Sequence, residues 1–385
     1  MTNPFIVKGD IPSEYFCDRL TETEMLIKNI TNGRNTLLIS PRRVGKTGLI
    51  YHCFRQKAIA DSYNTFFVDI LQTSSLREFT YILGKRIFDT LKPQGKKVLD
   101  VFIQTLRSIS GEFGYDPATN LPRFTLSLGA IHSPEYTLDE IFKYIDIADK
   151  RCVVAIDEFQ QITRYSEKNV EAILRTHIQH CKNAEFIFAG SERHILTEMF
   201  NSYSRPFFAS TISLSLSEIE KAKYTDFAEQ CFVRFSKSID REAAGRLYDL
   251  FSGNTYCLQL TLNKAFEKVN SGGTCTIDTI KESILDIMLE QQHSYQARLS
   301  ILTPKPKELL IAIAKERMAE RITSGEFVKR HRLSSSSSVQ SAVKQLLSDD
   351  WISYETDMKG TKHYFLTDKF LSLWLLQEFG AGWTL

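Results

Sequence analysis

Five short runs rich in apolar and β-branched residues punctuate the first 220 positions, with helix-length stretches between most of them: 36–40 (TLLIS), 65–70 (TFFVDI), 152–157 (CVVAID), 185–189 (EFIFA) and 211–216 (TISLSL). The first four are almost continuously apolar, the pattern of strands whose two faces are both covered by helices. Strands alternating with helices predict an α/β core with a parallel sheet over residues 1–216. Within it, RSISGEFGYD and PRFTLSLGA flank a turn-rich stretch with Asp116, Pro117, Asn120 and Pro122, which predicts an inserted β-hairpin over about 107–130 at the sheet's periphery.

After residue 216 the apolar period changes to that of helices. DREAAGRLYDLF, NTYCLQLTLNKAFEKV and TIDTIKESILDIMLEQ carry apolar residues three and four apart, predicting a helical domain over 217–300. Residues 301–385 differ again. They predict a helix over 307–317, a second opening at Thr323 with Glu326 in a capping box, and a third over 335–347. Two strands come next, WISYE and HYFLT, joined around Lys359 and Gly360. Three helices and a hairpin spell a winged helix.

Hydrophobic residues make up 43% of the chain and charged ones 24%, as in a folded globular protein and not a disordered one. No apolar run approaches a bilayer's width, and the first residues have neither a basic nor an apolar signal region, so the expectation is a cytoplasmic chain with no membrane partner. The net charge of +2 does not force a nucleic-acid-coated surface. The seven cysteines are scattered and never spaced as CxxC, which predicts buried free thiols.

The strand TLLIS runs directly into Pro41, Arg42, Arg43, Val44, Gly45, Lys46, Thr47 and Gly48, and then into a helical pattern with Leu49, Ile50, Cys53 and Phe54 on one side. Strand, tight loop, GKT and helix form the order of a phosphate-binding loop. Successive backbone N–H groups can wrap a phosphate where Gly45 leaves room, and the helix N-terminus adds its positive end. Lys46 would reach the β- and γ-phosphates of ATP, and Thr47 would ligate Mg²⁺. The pattern GxxxxGK[ST] begins with glycine, and Ser40 stands there in this chain.

CVVAID followed by Glu158 places two carboxylates at a strand's end. Asp157 would hold the metal and Glu158 would activate the hydrolytic water. The bland alternative is that both cap a helix starting near Phe159. Ser191, just past the next strand, is a candidate for sensing the γ-phosphate or the water, with a helix cap as its rival. Arg205 could stabilise transition-state charge, within its own subunit or, through self-association, on a neighbour; a plain surface arginine is the alternative.

Taken together, SPRRVGKT, VVAIDEFQ, FAGS followed by Arg205, SGNTYCLQL and the terminal FLTDKFLSLWL resemble the archaeal-type ATPases of the AAA+/STAND branch of P-loop NTPases. The resemblance implies an ATPase core with an extra strand between the two phosphate motifs, a helical lid and a C-terminal winged helix. It also implies that Arg19 and Glu22, in the segment 16–22, lie near the nucleotide, where an i,i+3 ion pair would be the simpler account. The family's lid often has Gly-x-Pro where this chain reads Gly253-Asn254-Thr255.

His177 and His180 have a metal-like spacing without a third ligand, so surface histidines are expected. In the winged helix, Lys329, Arg330, His331, Arg332, Lys359 and Lys362 make a mildly basic set, but residues 301–385 carry only 12 Lys and Arg against 10 Asp and Glu. Duplex DNA, a protein client and a cap on its own ATPase core all remain as roles for that module. Two functions from different classes stay open: a Mg²⁺-dependent ATPase whose turnover drives work on DNA or protein, and a slow nucleotide switch or DNA-binding regulator whose bound state is the output.

Overall fold

Each of the five apolar runs becomes a strand of one parallel sheet. The computed structural model describes residues 3–9, 11–91, 112–115, 122–357, 359–380 and 382–385. The unit Asp10–Ile219 contains α1 (Leu20–Thr31), β1 (Thr36–Ile39), α2 (Lys46–Arg55), α3 (Lys57–Ala60), β2 (Tyr63–Asp69), α4 (Leu76–Thr90), β3 (Glu112–Tyr115), β4 (Pro122–Thr125), α5 (Pro134–Asp146), β5 (Arg151–Asp157), α6 (Val170–His180), β6 (Ala184–Gly190), α7 (Arg193–Asn201) and β7 (Ile212–Ser215). The sheet order is β2-β5-β6-β1-β7. The register pairs Asp69 with Asp157 and Ile39 with Gly190, so these strands end along one edge. β3 and β4 pair antiparallel; of the rest of the expected hairpin, 107–111 and 116–121 lie outside the described residues, and Leu128–Ala130 form a 3₁₀ turn and not a strand.

Alternation within each strand divides the core. Phe66, Val68, Val154, Ile156, Phe186 and Phe188 meet residues of α4 to α7 on one face. Leu38, Val153, Ala155, Ile187, Ala189 and Leu214 meet α1 and α2 on the other. On the first face, the rings of Phe159, Phe188, Phe200 and Phe207 lie within 4.6 to 6.0 Å of one another. Such ring pairs each add about 0.5–1.5 kcal/mol beyond burial itself. Phe207 therefore anchors the loop that carries Arg205.

The second unit is Met1–Gly9 with Glu220–Leu385. It contains α8 (Lys221–Val233), β8 (Ser238–Ile239), α9 (Arg241–Leu250), α10 (Thr255–Lys268), β9 (Thr274–Cys275), α11 (Ile277–Ile301), α12 (Pro304–Glu316), β10 (Ala319–Glu320), α13 (Gly325–Arg330), α14 (Ser336–Ser348), β11 (Ile352–Thr356), β12 (Lys362–Leu366) and α15 (Lys369–Glu378). The segment up to Gly9, expected with the α/β core, belongs here. Phe5 is buried among Phe227, Phe232 and Phe266, and Asn263 Nδ2 donates to its carbonyl at 2.7 Å.

β10, β12 and β11 form the sheet of the winged helix. The hairpin turn is held by Asp357, whose Oδ1 accepts the N–H groups of Lys359 and Thr361 at 2.8 Å, with Gly360 at φ 81°. The capping box expected at Thr323 is not the one formed. Ser324 is the N-cap of α13 and accepts from Phe327 N–H, while Glu326 pairs with Arg330 at 2.7 Å. α14 buries Val339, Ala342, Val343 and Leu346, while Gln340, Ser341, Lys344 and Gln345 face outward.

Candidate active site

β1 hands the chain to α2 through a loop whose shape depends on two left-handed residues. Gly45, the N-cap of α2, has φ 97°, and Arg43 has φ 64°. A Cβ at Gly45 would meet nothing within 4 Å, so backbone conformation and not crowding favours glycine there. Ser40 is not among the positive-φ residues, which is why a side chain is tolerated where the usual pattern has glycine. It is buried, and its hydroxyl bonds the Pro41 carbonyl at 2.9 Å. Val44 is buried, Arg42 and Arg43 are exposed, and a Cβ at Gly48 would come into ordinary van der Waals contact with Phe16 and Ile11.

The loop faces the ends of β5 and β6. Thr47 Oγ1 donates to Asp157 Oδ2 at 3.1 Å, and Lys46 Nζ lies 3.9 Å from Glu158 Oε1. Lys46 is 8% exposed and Asp157 7%, so two charges are held largely away from water, an arrangement that costs stability unless each is compensated. Burial pushes the Asp157 carboxyl up from its ordinary range. The Lys46 ammonium opposes that shift, as do the hydrogen bonds from Glu158 N–H and Thr47, whereas the Glu158 charge adds to it.

Glu158 stands at the bend after β5 with φ 56°, a strained conformation for a non-glycine residue and a recurrent one at functional sites. Its Oε2 accepts from Ser191 Oγ at 2.9 Å, and Ser191 Oγ in turn accepts from Arg42 Nε at 3.2 Å. The loop, the β5 carboxylates and the β6 serine are thus one connected set. Beyond Glu158 the chain makes a 3₁₀ turn, Phe159–Arg164, and not an α-helix to be capped.

Arg19, 4% exposed, is the N-cap of α1 at φ 67°. It does pair with Glu22, at 2.7 Å, but its other arm donates to the carbonyls of Val44 at 3.3 Å and Ser217 at 2.7 Å. It therefore ties α1 to the loop and to the exit of β7. Arg205 is placed differently: its guanidinium contacts Glu171 at 2.7 Å and Glu198 at 3.6 Å, away from Lys46's partners. His177 stacks on Phe142, with burial lowering its pKa. Sequence reading missed Gln160, whose Nε2 donates to Glu158 Oε2 at 2.6 Å, and Gly190, against which that amide lies.

A parallel sheet in this order, with a glycine-bent loop entering a helix opposite two carboxylates, defines the fold of P-loop ATPases. Comparison with solved structures agrees. The chain is similar to the Walker-type ATPase PABY2304 of Pyrococcus abyssi, with TM-score 0.61, 18% identity, and coverage of 97% of this chain and 99% of that one. It is also similar to the Aeropyrum pernix ORC2 protein in ADPNP–ADP complexes, with TM-score 0.58, 13% identity and coverage of 99% and 98%. The Aeropyrum pernix ORC1 protein in complex with DNA gives TM-score 0.53, 13% identity and coverage of 98% and 96%. A family model described as "Probable winged helix domain" matches residues 293–377. No curated protein matches the chain. At these identities the likeness establishes the fold: an α/β P-loop ATPase core with a winged-helix domain at its C-terminal end. No helix among the described residues is long and apolar enough to cross a membrane.

Proposed function

We propose that the chain is a Mg²⁺-dependent ATPase whose nucleotide cycle acts through the winged helix on duplex DNA. The observation that carries this reading is the convergence of Lys46, Thr47, Asp157, Glu158 and Ser191 from three adjacent strand ends onto one loop. ATP would be held by the loop amides of residues 41–48 and by Lys46, whose ammonium neutralises the β- and γ-phosphates. Thr47 and Asp157 offer the hard oxygen donors that Mg²⁺ prefers. Mg²⁺ held by so few protein oxygens takes its remaining ligands from phosphates and water. When bound, Mg²⁺ supplies neutralising charge to the phosphate oxygens.

Glu158 then orients the attacking water and accepts its proton, while Ser191 holds the same carboxylate by its other oxygen. Positioning and electrostatics carry most of the rate in this chemistry. Arg205 is already neutralised by Glu171 and Glu198, so a catalytic role for it requires release of that pair. The DNA half of the reading is supported by the winged helix itself and by the fold shared with a protein solved on DNA.

The test is phosphate release from wild type and Glu158→Gln, each with and without duplex DNA. The proposal expects DNA-dependent turnover in wild type, and MgATP binding without turnover in the variant. A slow switch would keep its ATP-bound output in Glu158→Gln. Turnover indifferent to DNA would point to a protein client.

A further inference from the structure

The hydrolytic reading gives Glu158 a task without saying what aims it. Oε1 of this carboxylate faces Lys46, the charge that an arriving triphosphate would engage. Oε2 is held by Ser191 and by Gln160 at 2.6 Å. Gln160 is 1% exposed, and its Nε2 also lies 3.5 Å from Glu192 Oε1, a carboxylate gripped by Arg164 at 2.7 and 2.9 Å. With a carboxylate on either side of that atom, only the NH₂ end of the amide fits there, because a carbonyl would face two acceptors.

The carbonyl end is consequently turned to the backbone of Gly190, where it has no hydrogen-bond partner among the described residues. Room for it exists only because residue 190 lacks a side chain. A Cβ there would overlap Gln160 Oε1 and would lie 2.9 Å from Leu196 Cδ1. A buried amide that forfeits one of its own bonds is disfavoured, and the charge-assisted bond to Glu158 is what offsets it.

We infer that Gln160, seated against Gly190, is a positioning residue that fixes the Glu158 carboxylate. Its effect on rate rests on the hydrolytic reading above; its hold on Glu158 does not. Once Lys46 turns to phosphate, Gln160 and Ser191 are what keep Oε1 aimed at the water. Gln160→Met preserves most of the volume and removes the donor. It should lower kcat about tenfold with an unchanged Kd for MgATP and an unchanged Tm. Gly190→Ala, which pushes the amide from the other side, should likewise lower kcat at an unchanged Kd, with a lower Tm from the overlap, and Gln160→Met should add nothing in a Glu158→Gln background. Wild-type kcat in Gln160→Met, a parallel rise in Kd, or additive losses would overturn the inference.

A readout independent of turnover is the side-chain ¹⁵N–¹H resonance of Gln160, assigned by its absence in Gln160→Met. Its proton should move upfield in Glu158→Gln as the charged acceptor is lost, and an unmoved resonance overturns the inference. If the wild type releases no phosphate, the hydrolytic reading fails while the resonance still decides the role of Gln160. If Gln160→Met does not fold, Gly190→Ala decides, and the resonance is assigned instead by its shift in that variant.

Discussion

Lys46, Asp157 and Arg19 are turned into the α/β core and buried, whereas Lys329, Arg330, Arg332, Lys359 and Lys362 of the winged helix are exposed, and several of its basic residues are already matched by carboxylates. Arg330 contacts Glu316 at 2.8 Å and Glu326 at 2.7 Å; His331 contacts Glu316 at 2.7 Å; His363 sits between Glu320 and Asp357. Lys362 lies over the Tyr354 ring at 4.2 Å. Burying a charge costs stability and exposing one costs little, so the core's charges mark where a ligand's charge is to be met. On the proposed function, the surface charges of the winged helix would offer DNA only a weak, salt-sensitive attraction.

Removing the core's cation should break this contrast most severely. Lys46→Ala should abolish the thermal shift with MgATP, lower hydrolysis by about 10³-fold, and depress the Tm of the nucleotide-free protein, because Asp157 and Glu158 would lose their compensating charge. A nucleotide-free Tm equal to wild type would show that the ammonium compensates nothing. Glu158→Gln should cost about 10²- to 10⁴-fold in kcat while MgATP still binds, measured by phosphate release and nucleotide titration.

Asp157→Asn should act in the opposite sense to Lys46→Ala on the nucleotide-free protein. Burial raises the Asp157 pKa, so its contribution to stability is full below the unfolded pKa and is lost as pH rises through the folded one. The variant's Tm should therefore exceed wild type at neutral pH, the gap should close on acidification, and Mg²⁺ dependence of nucleotide binding should disappear. The smallest effects belong to the winged helix. Lys359→Ala and Lys362→Ala should each reduce the salt slope of DNA binding by about 1, read from Kd at several salt concentrations. A slope unchanged by both would take the wing out of the DNA interface.

The sheet was legible in the sequence because strands covered on both faces read as apolar runs, and the loop was legible because GKT stood between such a strand and a helix. Ser40 obscured the motif on paper, but the handedness of the loop is carried by Arg43 and Gly45. Other features had no local signature. Phe5 opens a run of only three apolar residues, Phe5 to Val7, too short to show a period, and its partners lie more than 200 residues away. Gln160 and Gly190 meet only because β5 and β6 are neighbours, a fact of pairing that no period in either segment announces. The cap of α13 falls one residue later than its sequence suggests, since Thr323 and Ser324 are adjacent and both able to cap.

α11 runs unbroken for 25 residues from the helical bundle into the winged helix, a rod of about 37 Å. Near its far end Tyr295 packs on Trp374, and Arg298 bonds Asp368 and lies over the Trp351 ring. The two ends are therefore a single lever. A rotation of about 5° at the bundle would sweep the other end through about 3 Å and carry the wing with it.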